Sequence, residues 1–429
     1  MTEQEAPPQK RISQEELEVI IRKHTMFRSG RVGGARAILV NHDLSGLNLE
    51  NCDLSHADMT GVYLKGGEAE NARFDYCNFF GADLRFCNLQ RAHLVRADLR
   101  GACLRGANLI GADMAGADLR EGMLAETDEH GTLVFIHKDR PLSEAGGADL
   151  SGANLTGTRL SGAVAVGTNF SDATMAQCRI VRANLEGSNF SGANLEGADL
   201  SECDLTKVNM RGAVLTNAAL NIASLRQANL IDAMTNLPLG PTAKDLPDAL
   251  EELIRKHAAW VISDGTMGTQ LDISGHDMRG TKLFAYARLT LLNAEGAILY
   301  GLNLTETQLQ AAMLANADMR NISAFRADFR GVSMENARLT NADLREAKFE
   351  PLVSPQGRII ASDLSKANFK YANFEGARLR QVKLDGADLS YANLLGTDLA
   401  GTDLSKAILT GVRLDDAVRE KYGVFDEDE

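Results

Sequence analysis

The chain has 429 residues and a mass of 46.3 kDa, enough for two or three ordinary domains or for one long repeat array. Apolar residues make up 44%, aromatic residues only 5%, and the formal net charge is -13, which excludes a wholly disordered chain and a core built mainly from rings. The first twenty residues are too polar for a secretory signal, and no apolar run is long enough to cross a membrane. We therefore expect a cytoplasmic protein without a membrane span.

A polar tail and a short amphipathic helix are predicted for residues 1–43. Ser13 and Glu16 have the spacing of a capping box, which favours a helix that begins after Ser13. The apolar face has i, i+3, i+4, i+7 spacing and consists of Leu17, Ile20, Ile21, His24 and Phe27. The glycines of residues 30–34 are interpreted as a turn out of this helix, because no strand precedes them and no Lys-Ser/Thr follows, as a phosphate-binding loop would require.

A five-residue repeat occupies residues 44–230. Every fifth residue from Leu44 to Leu124, and again from Leu150 to Leu230, is apolar, which gives 34 positions without exception. The residue two positions earlier is small in 32 of the 34 pentads. A period of five fits neither a helix nor a strand, so the chain must turn once per pentad. Four pentads then make a coil of about twenty residues, stacked on the next at about 4.8 Å, with the other three positions of each pentad facing water.

Pentads such as Ala-Asp-Leu-Arg-Gly at 97–101 and Ala-Asn-Leu-Glu-Gly at 193–197 follow an A-(D/N)-L-x-x pattern that resembles the pentapeptide-repeat family. The resemblance extends over 58 pentads. It implies an all-β solenoid, specifically a right-handed quadrilateral β-helix. It implies no single activity, because a shared scaffold does not fix a function.

The second half of the chain repeats this organisation. Residues 231–272 are predicted to be a linker and a second helix, because the sequence Leu250–His257 repeats that of Leu17–His24. Asp245, with Pro247 in the opening turn, is the expected start of that helix. A second repeat array follows at 273–414, and an acidic tail at 415–429.

Both helices are expected to cap the arrays that follow them, because the open end of a β-helix exposes unpaired backbone and an apolar axis. We expect the aromatic residues Phe27 and Trp260 to lie over the first coil of each array. The predicted cap residues are Leu17, Ile21, His24 and Phe27 in the first helix and Leu250, Ile254, His257 and Trp260 in the second.

Each array contains one insertion, at 125–149 and at 350–363, and both are predicted to form short β excursions. His130 and His137 in the first insertion are weak evidence for a metal site. Most cysteines occupy the small inward position and are interpreted as core residues, whereas Cys103 is expected nearer solvent. No catalytic constellation, cofactor motif or metal site is predicted, and we expect a protein that is not an enzyme.

Residues twenty apart are expected to lie above one another on the surface. This places a basic, partly aromatic stripe on the first array, made of Lys65, Phe80, Arg85, Arg100, Arg105 and Arg120. The alternative is that the arginines merely pair with Asp83, Asp98 and Asp118. Outward aromatic residues are predicted at Tyr63, Tyr76, Phe80 and Phe86, and a stacked pair at Tyr371 and Tyr391.

The leading functional prediction is a non-enzymatic scaffold that presents a β-helical surface to an unidentified protein partner. The alternative is a DNA mimic that inhibits or protects gyrase, as the resemblance implies for some family members. Such mimicry requires acidic coils, but the four coil runs carry 30 acidic and 30 basic residues, which disfavours it. No direct nucleic-acid binding is expected, and homo-oligomers would form through the array ends or the caps.

Overall fold

Residues 10–120, 124–127, 133–136, 145–220, 225–353 and 357–422 are described by the computed structural model of the protein. The chain divides into two units, Met1–Leu237 and Pro238–Glu429. Each unit contains one long helix followed by stacked turns of chain that pair in parallel. The two units therefore have the same order of elements.

Successive turns are joined by parallel backbone pairing at a nearly constant spacing. Asp58 pairs with Asn78 and Asn78 with Asp98, each twenty residues further along. Where the first insertion interrupts the array, Asn108 pairs instead with Asp149. One turn thus contains four pentapeptides, and the backbone hydrogen bonds between turns satisfy groups that would otherwise be unpaired. The pairing consists of single bridges because the chain changes direction every five residues.

Two side chains of each pentad form the core, as the repeat predicts. Ala97 and Leu99 are each 1% exposed, and Ala372 and Phe374 are fully buried in the second unit. Large residues in successive turns contact one another along the axis: the rings of Phe170 and Phe190 stack with centroids 4.9 Å apart. The sparse aromatic content is thus used largely inside the solenoid.

The residue between the two buried side chains is commonly half-buried, which corrects the expectation that three positions of every pentad face water. Asp98 Oδ1 accepts a hydrogen bond from the Arg100 backbone N–H at 3.2 Å. Asn169 Oδ1 accepts one from the Ser171 N–H at 3.2 Å. The short side chain of Asp or Asn therefore accepts a hydrogen bond from the backbone N–H two residues later, where the chain turns. This explains the preference for Asp and Asn at this position.

The first helix, α1, spans Gln14–Arg28 and has the predicted capping box. Ser13 Oγ accepts from the Glu16 N–H at 3.3 Å, and Glu16 Oε2 accepts from the Ser13 N–H at 3.0 Å. Two backbone donors at the helix start are thereby satisfied reciprocally.

The second helix, α2, spans Leu250–Ile262 and begins differently from the prediction. Its N-cap is Ala249, which provides no side-chain hydrogen bond. Asp245 instead accepts hydrogen bonds from the backbone N–H and hydroxyl of Thr242, at 2.7 and 2.9 Å. The prediction was wrong because this carboxylate closes a turn upstream of the helix. A last helix, α3, spans Asp416–Tyr422.

Short strands occur at the start of the first unit and in both insertions. β1 pairs in parallel with β2, and the other two pairs are antiparallel hairpins at the predicted β excursions. The strands are β1 (Lys10–Arg11), β2 (His42–Asp43), β3 (Leu124–Thr127), β4 (Leu133–Ile136), β5 (Leu352–Val353) and β6 (Ile359–Ile360).

Candidate interaction surfaces

The two long helices contact their arrays through a buried histidine. His24 is fully buried; its Nδ1 accepts a hydrogen bond from the Ala37 N–H at 3.0 Å, and its Nε2 donates to the Ser55 carbonyl at 3.0 Å. His257 is also fully buried, and its Nδ1 accepts from the Leu271 N–H at 2.9 Å. Burial lowers the pKa of both imidazoles below the usual range. Both rings are therefore held neutral as acceptors.

The predicted apolar cap residues pack on the core, whereas the aromatic ones are partly exposed. Leu17 and Leu250 are buried, and Ile21 and Ile254 are partly buried against the core of their units. Phe27 is 47% exposed. Trp260 is half-buried and lies against the loop after α2, where a Cβ on Gly265 would come within 3.3 Å of its Nε1. The smaller histidine ring, one turn earlier, makes the polar contact with the array.

Three arginines of the predicted stripe are paired with aspartates of their own pentads. Arg85 Nη2 lies 2.7 Å from Asp83, Arg100 Nη2 lies 2.6 Å from Asp98, and Arg120 Nη2 lies 2.7 Å from Asp118. Each arginine also donates its Nε–H to the same carboxylate.

The Asp118 carboxyl shows the electrostatic effect of this pairing. Burial opposes its ionisation, but the hydrogen bonds from Arg120 outweigh burial and hold its pKa below the usual range. These pairs satisfy the local charge, so much of the stripe carries no net positive charge.

The Phe86 patch, defined here as Lys65, Phe86 and Arg105, is different. Phe86 is 58% exposed, and the Lys65 ammonium lies 5.9 Å from its ring centroid. The ring lies over Gly106, where a Cβ would approach it to 2.6 Å. Neither Lys65 nor Arg105 forms an ion pair with a carboxylate among the described residues. An exposed ring with an unpaired cation over it is thus held on the surface, next to a second unpaired cation in the turn above.

The remaining predicted aromatic residues are more enclosed. Phe80 is half-buried below the Arg100 guanidinium, 5.4 Å from its ring. Tyr371 and Tyr391 do stack, with centroids 5.3 Å apart and an interplanar angle of 7°, but both are half-buried. Tyr63 is only 8% exposed, so its prediction as an outward residue was wrong. Its position between two inward residues places it within the paired backbone rather than at a corner.

A cleft that sequence reasoning missed lies beside the end of α1. It has a volume of about 640 Å³ and is lined by Phe27, Arg28, Arg36, His56 and Tyr76. Arg36, His56 and Tyr76 recur at intervals of twenty, a spacing that could have revealed them. Phe27, which lies on the predicted apolar face of α1, contributes to this cleft.

The cysteine thiols are enclosed by the solenoid. Burial raises the pKa of Cys77, Cys87 and Cys178 to about 12. Cys103 is 7% exposed, which corrects its predicted position nearer solvent, since the residue between the inward positions is part of the paired backbone. None of these thiols has the exposed, cation-assisted surroundings of a reactive cysteine.

Within the described ranges, no group of three or more His, Cys, Asp or Glu side chains is placed to hold a metal ion. His130 and His137, the weak metal candidates, lie outside the described residues. No helix in the part of the chain that the structure describes is long and apolar enough to cross a membrane.

The repeated turns and their two-residue inward pattern define a pentapeptide-repeat solenoid. The family model for pentapeptide repeats matches eight segments, which together cover more than half of the sequence, and the chain belongs to this family. The matched residues are 35–66, 77–116, 146–180, 178–217, 287–323, 325–350, 361–386 and 383–418.

Several solved structures are similar to parts of the chain. A trypsin-treated form of QnrB1, a plasmid-mediated fluoroquinolone resistance protein, is 21% identical over 46% of this chain and 89% of its own, with a TM-score of 0.31. HetL from Nostoc sp. strain PCC 7120, a pentapeptide repeat protein involved in heterocyst differentiation regulation, is 19% identical over 91% of this chain and 92% of its own, with a TM-score of 0.13. These TM-scores are too low to support any inference about function. The comparison with curated proteins gives no match.

Proposed function

We propose that this protein is a non-enzymatic scaffold that presents one face of its first array to a protein partner. In this proposal the coils form a right-handed, four-sided β-helix, and α1 and α2 cap the two arrays. The protein acts in the bacterial cytoplasm without a cofactor. The twenty-residue pairing interval supports the four-sided coil, and the hydrogen bonds of His24 and His257 to the first turns support the capping role.

The observation that carries the proposal is the Phe86 patch. Large aromatic and arginine side chains contribute most of the binding energy in protein interfaces when they become desolvated. Phe86 is exposed yet fixed by the turn below it, so ordering it on binding costs little conformational entropy. Lys65 and Arg105 lack carboxylate partners in the described chain, so an acidic residue of the partner would complete the charge pairing.

The test is co-purification from native cells with a Phe86→Ser/Arg105→Glu variant. We expect the partner captured by the parent protein to be lost. Arg182→Glu is the matched control, because Arg182 is also exposed, lies at a corner with positive φ and has no ion pair in the described residues. Retention of the same partner by the double variant would contradict the proposal, as would an equal loss with Arg182→Glu.

The alternative function is DNA mimicry toward a type II topoisomerase. The balance of 30 acidic and 30 basic residues in the coils weighs against it, because a mimic must reproduce the dense negative charge of the phosphate backbone. The internal Asp–Arg pairs weigh against it further, since they neutralise carboxylates that a mimic would display.

A further inference from the structure

A column of four side chains follows one corner of the first array, and we call it the corner column. It consists of Arg36, His56, Tyr76 and Arg96, which lie on successive turns. The His56 and Tyr76 rings stack with centroids 4.9 Å apart and an interplanar angle of 3°. The Arg96 guanidinium lies 5.9 Å from the Tyr76 ring centroid, and Arg36 Nε donates to the His56 carbonyl at 2.7 Å. Two cations therefore enclose two stacked rings.

The C-terminal end of α1 forms the opposite wall of the cleft. Phe27 and Arg28 line it there, together with Arg36, His56 and Tyr76 of the corner column. Its volume of about 640 Å³ falls within the range of small-molecule sites, about 300–1,000 Å³. The cleft is thus bounded by three aromatic rings and two guanidinium groups.

The charges in the cleft are not neutralised as they are elsewhere in the array. Arginines such as Arg85 and Arg100 have an aspartate two residues earlier. The residue two positions before Arg36 is Gly34, and the residue two positions before Arg96 is Leu94. Neither Arg36 nor Arg96 forms an ion pair among the described residues. Arg28 Nη2 lies 3.6 Å from the Asp53 carboxylate. The cleft therefore has a surplus of positive charge that an external anion would balance.

The second unit shows that the fold does not require these side chains. Gln270 occupies the position of Arg36, since its Nε2 donates to the Leu291 carbonyl at 2.6 Å as Arg36 donates to that of His56. The corners that follow continue the correspondence. The counterparts of His56, Tyr76 and Arg96 are Leu291, Ala311 and Gly331, all with positive φ. The same backbone is thus built with neutral or small residues, so the rings and charges of the corner column are not needed for folding.

We propose that this cleft binds a free nucleotide, with the base against the exposed Phe27 ring and the edge of the His56–Tyr76 stack, and with the phosphates at the guanidinium groups. Aromatic rings stack on any base, and the planar guanidinium donates in a fork that matches phosphate oxygens. An acidic peptide would satisfy the arginines but would leave Phe27 and Tyr76 unmatched. A nucleotide uses both features of the cleft.

The test is a binding titration of the full-length chain with fluorescently labelled AMP and ATP. We expect saturable binding that Tyr76→Ala and Arg36→Gln each weaken about tenfold, because the first removes the ring edge that the base contacts and the second removes a guanidinium group at the phosphates. Both substitutions introduce residues that the second unit uses at the same places, so we expect unchanged thermal melting. Arg182→Gln, at an exposed arginine outside the cleft with no ion pair among the described residues, is the matched control and should bind as the parent does.

Competitors distinguish the sources of the ligand. Unlabelled nucleotide should displace the probe, whereas inorganic phosphate should do so only at far higher concentration. Equal displacement by phosphate would overturn the proposal in favour of a simple anion site. Tighter binding of a single-stranded oligonucleotide than of the nucleotide would overturn it in favour of a nucleic-acid site. Absence of binding at millimolar nucleotide, or equal binding by Tyr76→Ala, would also refute it.

Discussion

At the scale of single residues, His24 and His257 couple two helices to two arrays by the same hydrogen bond. Each Nδ1 accepts a backbone N–H from the first turn, which only an unprotonated nitrogen can do. Protonation would place an N–H against an N–H donor inside the core. Burial also disfavours the charged ring, and together these effects make the contact dependent on pH.

The pH dependence has a definite sign. The folded-state pKa of both histidines lies below the unfolded value, which is about 6.5. The unfolded state therefore binds more protons as the pH falls, and stability that is present above about pH 6.5 is lost below it, by up to about 1.4 kcal/mol per pH unit for each histidine. Denaturant midpoints from pH 7.5 to 5.5 would measure this loss. A His24→Asn/His257→Asn variant should show a flatter profile; an unchanged profile would contradict the assignment.

Leu99 tests the repeat register at the level of one side chain. It is 1% exposed on the axis of the first array, so Leu99→Asp buries a carboxylate without a partner and should cost several kcal/mol, on the order of 4. Arg100→Ala, one residue further, removes only a partly exposed ion pair and should cost less than about 1 kcal/mol. Urea unfolding of both variants provides the comparison. Equal midpoints for Leu99→Asp and the parent would show that the register is wrong.

At the scale of elements, α1 and α2 have related sequences but different starts. Ser13 and Glu16 close a capping box on α1, whereas Ala249 leaves the first N–H groups of α2 without a side-chain acceptor. The second helix is compensated in part by an ion pair within its first turns, Glu252 with Arg255 at 2.6 Å. An exposed pair of this kind contributes little.

Substitutions at the two helix N-cap residues should therefore change stability in opposite directions. Ser13→Ala removes the acceptor of the Glu16 N–H and should destabilise the first unit by about 1 kcal/mol. Ala249→Ser introduces an acceptor at the exposed N-cap of α2 and should stabilise the second unit by about 0.5–1 kcal/mol. Thermal melting of the two variants would measure both changes. If the melting temperatures of both variants shifted in the same direction, the N-cap residues would not be what limits the stability of these helices.

At the scale of the whole molecule, the distribution of charge separates the two candidate functions. The net charge of -13 arises outside the coil runs, which are balanced, and the tail 415–429 alone has seven acidic and two basic residues. A surface of alternating internal Asp–Arg pairs presents no continuous negative field.

We therefore expect no effect of this protein on gyrase supercoiling, even at a large molar excess. A variant with Arg85, Arg100 and Arg120 changed to Gln removes three positive charges and provides a more acidic comparison from the same chain. Supercoiling assays with both proteins, from a stoichiometric amount to a large molar excess, would measure the outcome. If the parent protein inhibited or protected gyrase, the alternative function would be established. The inference from charge-balanced coils would then be wrong.

The sequence by itself determined the repeat, the inward residues and the capping box of α1, because each depends on spacing along the chain. Apolar residues at a period of five can share one interior only if the chain turns at that interval. The histidine contacts could not be predicted, because His24 meets Ala37 and Ser55 only after the first turns have closed.

Only the tertiary structure decided which surface residues are available for binding. The sequence left open whether Arg85 is available or pairs with Asp83; in the structure Asp83 holds it, whereas Arg36 has no ion pair among the described residues. Phe27 lies on the predicted apolar face of α1, yet it is 47% exposed and lines a cleft with Tyr76. Exposure and charge pairing depend on which side chains the stacked turns and the helix bring together, and a one-dimensional period specifies the interior but not these neighbours.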